Sequence, residues 1–303
     1  MSRKWISEQL CISEASFTCN LYCKYCHNPP TGRKNPIDFV INKVSEEKPY
    51  AVSLEGRGEP LTNPDIIKMI KEIKKIGVEN ISISTNAVAL SDMDKLKKII
   101  KEVDFLIINF PSHVEKVYNS VTSSVKYKMA VKALDNIKKL KALSKVRIFH
   151  IISKENYAHL GDFVDWINNN YKDVFLLNFC FARNKGRALK FKKKIIPKYS
   201  EVYKYLKLAL AKSKLYGIKA VTQNIPLCMI KGFEGFSFEF HRWRRGDKVF
   251  ERGVEEPLKI KKCSDCSLRD ACCQARKDYS ELYGTDELES SKLSPEKIKP
   301  ERF

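Results

Sequence analysis

The 303-residue sequence contains no run of 18 apolar residues, no internal repeat and no low-complexity segment. A membrane-spanning helix needs about 20 consecutive, predominantly apolar residues, so the sequence predicts a protein with no membrane partner. The first residues, Met1 to Trp5, also lack the apolar segment of a secretory signal. We therefore expect a cytoplasmic protein, and a hydrophobic content of 43% is sufficient for a large core.

Cysteine, by contrast, is not scarce, because the chain has ten. Their clustering at metal-ligand spacings in a long chain without an export signal favours reduced, metal-bound thiols over disulfides. Cys19, Cys23 and Cys26 follow the spacing C-x3-C-x2-C. Three thiolates can hold three irons of a [4Fe-4S] cube and leave the fourth iron open to a small molecule. The alternatives are a zinc knuckle or unconnected buried cysteines.

This cysteine run, with Tyr25 before the last thiol, resembles the cluster-binding loop of the radical S-adenosylmethionine (radical SAM) enzymes. The resemblance implies that S-adenosylmethionine chelates the open iron. Reductive cleavage then gives a 5′-deoxyadenosyl radical, with ferredoxin or flavodoxin as the electron donor. The segment Arg57-Gly58-Glu59-Pro60 aligns with the Gly-Gly-Glu-Pro motif of that family, although Arg57 replaces the first glycine. The motif implies that Gly58 and Glu59 meet the amino group of S-adenosylmethionine.

The ends of later predicted strands supply further cofactor candidates. Ser84-Thr85-Asn86 is similar to the Thr-Asn-Gly turn of many relatives, which implies that Ser84 and Asn86 contact the methionyl carboxylate or the ribose. An ordinary capped turn is the alternative. Asn109 is a third candidate, although the Ser-Leu-Asp-Gly-like turn of many relatives is absent there. His27 is expected to hydrogen-bond the cluster or its loop, and the pattern identifies no catalytic side chain.

Strand-like and helix-like segments alternate along the chain, which predicts a parallel sheet covered by helices. The expected fold is α/β, a partial (β/α)6-type barrel whose reactive centre lies on the loops after the strands. Asn63 or Thr62 is expected to cap the helix after the second strand, and Ser91 the next helix. The strand candidates are 5–12, 51–55, 81–84, 105–109, 146–150 and 174–179, and the helical segments lie near 63–77, 92–102, 124–143 and 157–170.

The pattern changes near residue 222, which predicts a barrel over 1–222, a small metal-held module over 223–285 and a polar, frayed tail over 286–303. Cys263, Cys266 and Cys272 follow the spacing C-x2-C-x5-C, and Cys228 lies upstream. Four thiolates can close a second [4Fe-4S] cluster, with a structural zinc site as the alternative and Cys273 as a substitute for Cys272. The spacing resembles the auxiliary SPASM module of radical SAM enzymes, in its shorter twitch form.

The net charge of +20 is compatible with a nucleic-acid partner or with solvated lysine faces on helices. Cys180 ends a strand and is a candidate substrate contact, and Arg183 belongs to a basic loop nearby. The leading hypothesis is a two-cluster radical SAM enzyme that abstracts hydrogen from a peptide or a small polar molecule. The alternatives are a tRNA-modifying radical SAM enzyme and a non-catalytic, metal-stapled RNA-binding protein.

Overall fold

Seven strands form a single sheet in the computed structural model, which describes residues 7–32, 37–247, 249 and 257–302. The strands follow chain order across the sheet, and each pairs with the next in parallel. The sheet curls into a half-barrel. The strands are β1 (Ser7–Ile12), β2 (Pro49–Leu54), β3 (Asn80–Thr85), β4 (Phe105–Asn109), β5 (Val146–Ile152), β6 (Leu176–Phe181) and β7 (Ala220–Gln223).

Helices connect the strands and cover the outer face of the sheet. The helices are α1 (Ile37–Glu47), α2 (Ile66–Ile76), α3 (Met93–Ile100), α4 (Glu115–Thr122), α5 (Tyr127–Lys139), α6 (Leu160–Tyr171), α7 (Ala188–Phe191), α8 (Tyr199–Leu215), α9 (Phe238–Arg244), α10 (Lys261–Ser264) and α11 (Lys277–Tyr283). Within the described ranges, none is long and apolar enough to cross a membrane.

The two faces of each strand have different neighbours. In β5, every second residue from Val146 to Ile152 is buried. Phe149 and Ile151 lie on the inner face and line a cavity, whereas His150 is buried against Phe163 of α6. Side chains alternate in this way because successive Cβ atoms point to opposite faces of a strand.

The expected fold class is confirmed, with one more strand than the six predicted. β7 pairs with β6 and extends through the expected barrel boundary at residue 222. The expected helix cap at Ser91 is wrong, because Asp92 accepts from the N–H groups of Asp94 and Lys95 at the start of α3. Asp92 is the better cap since its carboxylate satisfies two helix donors at once.

The C-terminal segment packs against the open edge of the half-barrel. The ring of Tyr279 on α11 stacks on Tyr199 of α8, with 4.0 Å between their centroids. Leu288 and Ile298 are buried, and the N–H of Glu301 donates to the carbonyl of Gly235 at 3.0 Å. The tail predicted to fray is therefore anchored as far as Glu301.

Candidate active site

A cavity of about 380 Å³ opens at the carboxyl ends of the strands. Because all seven strands run parallel, the loops that follow them meet at this edge. The cavity brings together every barrel residue predicted as a ligand or cofactor contact, although these lie far apart in sequence. The residues are Cys19, Cys23, Cys26, Gly58, Glu59, Ser84, Asn86 and Asn109.

The cysteine loop after β1 is attached to the end of α4. The backbone N–H of Tyr22 donates to the carbonyl of Thr122 at 3.0 Å, and the N–H of Lys24 donates to Val121 at 2.9 Å. Since the last carbonyls of a helix have no partner within the helix, they are available to an incoming loop. These two hydrogen bonds fix residues 22–24 of the loop relative to the end of α4.

Arg187 attaches the other side of the loop. Its backbone N–H donates to the carbonyl of Cys26 at 2.8 Å, and its guanidinium donates to the carbonyl of Cys23 at 3.2 Å. The guanidinium also lies 3.5 Å from the ring centroid of Tyr22. A buried cation beside three thiols stabilises negative charge on them.

The environment of the three thiols favours binding of a metal cation over free thiolates. Burial raises the pKa of Cys19 and Cys26 and raises the pKa of Cys23 to about 12, while Arg187 acts in the opposite direction. Without a metal these thiols stay protonated, and metal coordination removes the proton. The donor set therefore fits an iron-sulfur cluster held by Cys19, Cys23 and Cys26.

Two glycines allow backbone segments to meet around this loop. A Cβ on Gly58 would lie 2.1 Å from the carbonyl oxygen of Thr18, and one on Gly186 would lie 2.4 Å from the carbonyl oxygen of His27. Gly186 also has a φ of +59°, which favours glycine. A side chain at either position would collide with backbone atoms beside the thiols.

Glu59 ties the ends of β2 and β3 together. One carboxylate oxygen accepts from the N–H of Leu61 at 3.2 Å and from the hydroxyl of Thr85 at 2.5 Å. The other accepts from the N–H of Asn86 at 2.7 Å. Burial raises the pKa of Glu59, and these three hydrogen bonds oppose the rise. Both oxygens thus have protein donors, which indicates a positioning role at the cavity wall.

Arg57, which replaces the first glycine of the family motif, does not displace the cavity wall. Its side chain is exposed, and its backbone N–H donates to the carbonyl of Ser13 at 2.9 Å. The substitution therefore leaves the cavity wall at Gly58 and Glu59 in place.

The remaining strand-end candidates are held by neighbours in the cysteine loop. The side-chain amide of Asn86 donates to the side-chain oxygen of Asn20 at 2.7 Å. The hydroxyl of Tyr25 donates to the side-chain oxygen of Asn109 at 2.7 Å. The aromatic residue before the last thiol therefore connects the loop to β4. Ser84 lines the cavity from β3.

His27 also lines the cavity. Burial lowers its pKa to about 4, and Arg183 and Lys185 add to the effect. The imidazole is therefore neutral at pH 7. A neutral ring can donate one hydrogen bond and accept another.

A second group of thiols lines a small pocket in the C-terminal segment. Cys228, Cys263, Cys266 and Cys272 share this pocket, whereas Cys273 lines a different cavity. Cys273 donates to Cys272 and lowers the pKa of Cys272. Backbone N–H groups donate to two of the pocket sulfurs: Ser291 to Cys266 at 3.3 Å, and Leu227 and Gln274 to Cys272 at 3.2 and 3.3 Å.

N–H donors directed at sulfur stabilise thiolates, so this donor set fits an iron-sulfur cluster. Within the described ranges, no three His, Cys, Asp or Glu side chains converge closely enough to hold a single metal ion. The thiols of a cube bind different irons, so they need not converge on one point.

Arg187 and Asn224 also line the cavity, although no sequence pattern predicted them. Arg187 contacts a cysteine 164 positions away, and no local pattern indicates such a contact. Asn224 follows β7 directly and has a φ of +62°. Recognition of β7 as a strand would have placed Asn224 at the same edge as the other candidates.

The sequence profile of the radical SAM superfamily matches residues 14–167, about half of the chain. The chain belongs to the radical SAM superfamily. Members of this superfamily are enzymes, and they generally use a reductant such as flavodoxin or ferredoxin. Membership implies a [4Fe-4S] cluster and S-adenosylmethionine.

Individual relatives are more distant. The GTP 3′,8-cyclase of Limosilactobacillus fermentum is 29% identical over 176 residues, covering 53% of this chain and 51% of that protein. The chain thus spans about half the length of this cyclase. The pyruvate formate-lyase-activating enzyme of Clostridium pasteurianum is 28% identical over 191 residues, covering 56% of this chain and 76% of that enzyme.

The solved structure of anSMEcpe with bound AdoMet shares the fold, with a TM-score of 0.59 and 17% sequence identity. The match covers 84% of this chain and 71% of that one. At this identity the likeness shows the fold alone.

Proposed function

We propose that this radical SAM protein binds a [4Fe-4S] cluster through Cys19, Cys23 and Cys26 and S-adenosylmethionine in the adjoining cavity. The observation that carries the proposal is the shared cavity, in which three thiols face the Gly58–Glu59 turn and the ends of β3 and β4. A structural zinc site has no need of a cavity of about 380 Å³ beside its thiols.

A cluster held by these thiols and reduced by an external donor would supply the electron for cleavage of S-adenosylmethionine, and this chemistry would remove a hydrogen atom from the substrate and release methionine and 5′-deoxyadenosine. The protein positions the reactants and excludes water. Arg187 and Tyr25 fix the cysteine loop, while Glu59 aligns the turns after β2 and β3. Phe149 and Ile151 supply part of the apolar lining of the cavity.

The C-terminal thiols are proposed to hold an auxiliary [4Fe-4S] cluster in a twitch-like module. The support is the pocket shared by Cys228, Cys263, Cys266 and Cys272, together with the backbone donors directed at Cys266 and Cys272. With four protein thiolates this cluster has no open iron, which suits electron transfer or structural support rather than cofactor binding. Cys272 is favoured over Cys273 because only Cys272 lines the pocket.

The substrate is proposed to be a peptide or a small polar molecule. A relative named for its action on GTP supports a small polar substrate. Since the superfamily consists of enzymes, membership favours catalysis over a non-catalytic RNA-binding role.

An anaerobic reconstitution tests both sites. The protein is loaded with iron and sulfide, iron is counted per chain, and release of 5′-deoxyadenosine is measured with dithionite and S-adenosylmethionine. The wild type should hold about eight irons. Cys23→Ala and Cys266→Ala should each lose about half of the iron, and Cys23→Ala should abolish release of the nucleoside. Cys11→Ala, an exposed thiol outside both pockets, is the matched control. Bound zinc without nucleoside release would refute the proposal.

A further inference from the structure

Arg187, at the start of α7, holds a guanidinium against the cysteine loop. Its backbone N–H donates to the carbonyl of Cys26 at 2.8 Å, and its guanidinium donates to the carbonyl of Cys23 at 3.2 Å. Gly186 lets the two loops approach, because a Cβ there would lie 2.4 Å from the carbonyl oxygen of His27. Backbone and side chain together therefore fix the guanidinium beside the residues that carry the thiols.

The guanidinium of Arg187 is buried and keeps its charge. Arg187 is 7% exposed, and its guanidinium carbon lies 3.5 Å from the centroid of the Tyr22 ring. In the described part of the chain, the partners of this guanidinium are the ring and the carbonyl of Cys23, and neither carries a charge. A charge acts more strongly on its neighbours inside a protein than in water. The positive charge of Arg187 therefore acts on the cysteine loop that surrounds it.

Lys24, in the same loop, provides a contrast. Its ammonium forms an ion pair with Glu155 at 2.7 Å and donates to the hydroxyl of Ser120 at 2.9 Å. Both members of the pair are partly exposed, so water screens their charges as well. Burial raises the pKa of each of the three thiols, and Arg187 opposes the rise at each of them. The charge of Arg187 thus reaches all three thiols, whereas that of Lys24 is compensated.

A cation in this position affects the uptake of an electron. A cluster held by the three thiolates gains one negative charge when it is reduced. A neighbouring cation stabilises the more negative state, because the attraction grows with the charge. Net charge and burial are among the factors that set the reduction potential of an iron-sulfur cluster. The location of Arg187 therefore predicts an effect on the potential in addition to its attachment of the loop.

We propose that Arg187 raises the reduction potential of the cluster that Cys19, Cys23 and Cys26 hold. The inference rests on the proposed function, since it requires an iron-sulfur cluster at these thiols. Arg187 acts through the thiolates, so it is a positioning residue. A higher potential lets a donor of given potential reduce a larger fraction of the protein. Arg187 thereby widens the range of donors that can supply the electron.

A redox titration of the reconstituted full-length protein, followed by electron paramagnetic resonance, tests the proposal. The signal of this cluster is the one that disappears in Cys23→Ala. Arg187→Gln should lower the equilibrium constant for one-electron reduction by at least about tenfold, the usual smallest effect of a close opposite charge on a protonation equilibrium. The midpoint potential then becomes more negative by at least about 59 mV. Arg187→Lys keeps the charge and should lie closer to wild type than to Arg187→Gln.

Lys190→Gln is the matched control. Lys190 is exposed on α7, and its replacement changes the net charge by the same amount. Because exposed charges are screened, the reduction constant of this variant should stay within about twofold of the wild-type value. The proposal fails if Arg187→Gln has the wild-type potential. It also fails if Lys190→Gln or Arg187→Lys is shifted as far as Arg187→Gln.

Iron content separates the potential from assembly of the cluster. If Arg187→Gln holds no cluster at these thiols, Arg187→Met takes its place, because methionine is also uncharged and has a similarly unbranched side chain. Loss of the cluster from both variants would assign Arg187 to assembly and overturn the proposal.

Failure of this inference is separable from failure of the proposed function. A protein that releases 5′-deoxyadenosine but has equal potentials in wild type and Arg187→Gln keeps the proposed function and loses the role of Arg187 in the potential. A protein in which Arg187→Gln shifts the potential but which never cleaves S-adenosylmethionine keeps that role and loses the radical chemistry.

Discussion

At the scale of single residues, Glu59 shows how a side chain at the cavity wall also supports the fold. Its three donors, from Leu61, Thr85 and Asn86, approach both carboxylate oxygens. A glutamine has only one acceptor oxygen, so its NH₂ group would face the N–H of either Leu61 or Asn86. The sequence motif predicted a role for Glu59 at the cavity. It could not predict which donor approaches which carboxylate oxygen, because two of the three donors belong to the turn after β3.

We expect Glu59→Gln to lower the free energy of unfolding by about 2 kcal/mol, since a buried donor would be left facing another donor. Urea denaturation of the purified protein measures the change. The exposed Glu79 provides the control, because Glu79→Gln should change stability by less than about 0.5 kcal/mol. Equal stability of Glu59→Gln and wild type would contradict the positioning role.

His150 is a buried titratable residue on the outer face of β5. It is 2% exposed, and its ring lies 4.4 Å from that of Phe163, centroid to centroid. Burial lowers its pKa to about 3, and His113 adds to the effect. Histidine in an unfolded chain has a pKa of about 6.5. Between these two values the unfolded state binds more protons, so stability falls as the pH falls.

The predicted slope is about 1.4 kcal/mol per pH unit below pH 6.5. Between pH 7 and pH 5 the wild type should therefore lose about 2 kcal/mol more stability than His150→Leu, as measured by urea denaturation at each pH. Parallel curves for wild type and His150→Leu would rule out this contribution.

At the scale of elements, a buried ion pair connects the C-terminal segment to the barrel. Arg276 donates to the carbonyls of Ala182 and Asn224, which follow β6 and β7. Asp278 pairs with Arg276 and accepts from the backbone N–H of Asn184. The start of α11 is thereby attached to the ends of two strands.

Asp278→Asn would leave the buried Arg276 without a counter-charge. We expect the free energy of unfolding to fall by about 3 kcal/mol, the usual cost of removing one partner of a buried pair. Asp270→Asn, at an exposed aspartate in the same segment, should cost less than about 0.5 kcal/mol. If denaturant titrations showed a similarly small loss of stability for both variants, the ion pair would not be what holds α11 to the ends of β6 and β7.

The elements also show what the sequence could and could not predict. Six strands were predictable because β-branched and aromatic residues are concentrated in them. β7 was missed because it has four residues, Ala220–Gln223, and only the middle two are β-branched. α1, α4 and α8 were missed as well, as were the shorter helices α7, α9, α10 and α11. The candidates at the strand ends do line one cavity, whereas Arg187 reaches it through a contact between distant segments.

At the scale of the whole molecule, the net charge of +20 includes exposed lysines on the outer helices. For example, Lys97, Lys98 and Lys101 follow the exposed side of α3 and its end. Some outer lysines have acidic partners, such as Lys74 with Glu102 at 2.9 Å. Scattered exposed lysines attract phosphates without selecting a sequence.

We therefore expect tRNA to bind weakly and to lose about 1000-fold in affinity between about 50 and 200 mM salt. Filter binding measures this loss. Replacement of Lys97, Lys98 and Lys101 by glutamine should weaken tRNA binding further without changing release of 5′-deoxyadenosine, since these side chains lie outside the cysteine-lined cavity. Binding that persists at about 200 mM salt and survives the triple substitution would instead favour the tRNA-modifying alternative, because site-specific contacts add a salt-independent share to the affinity.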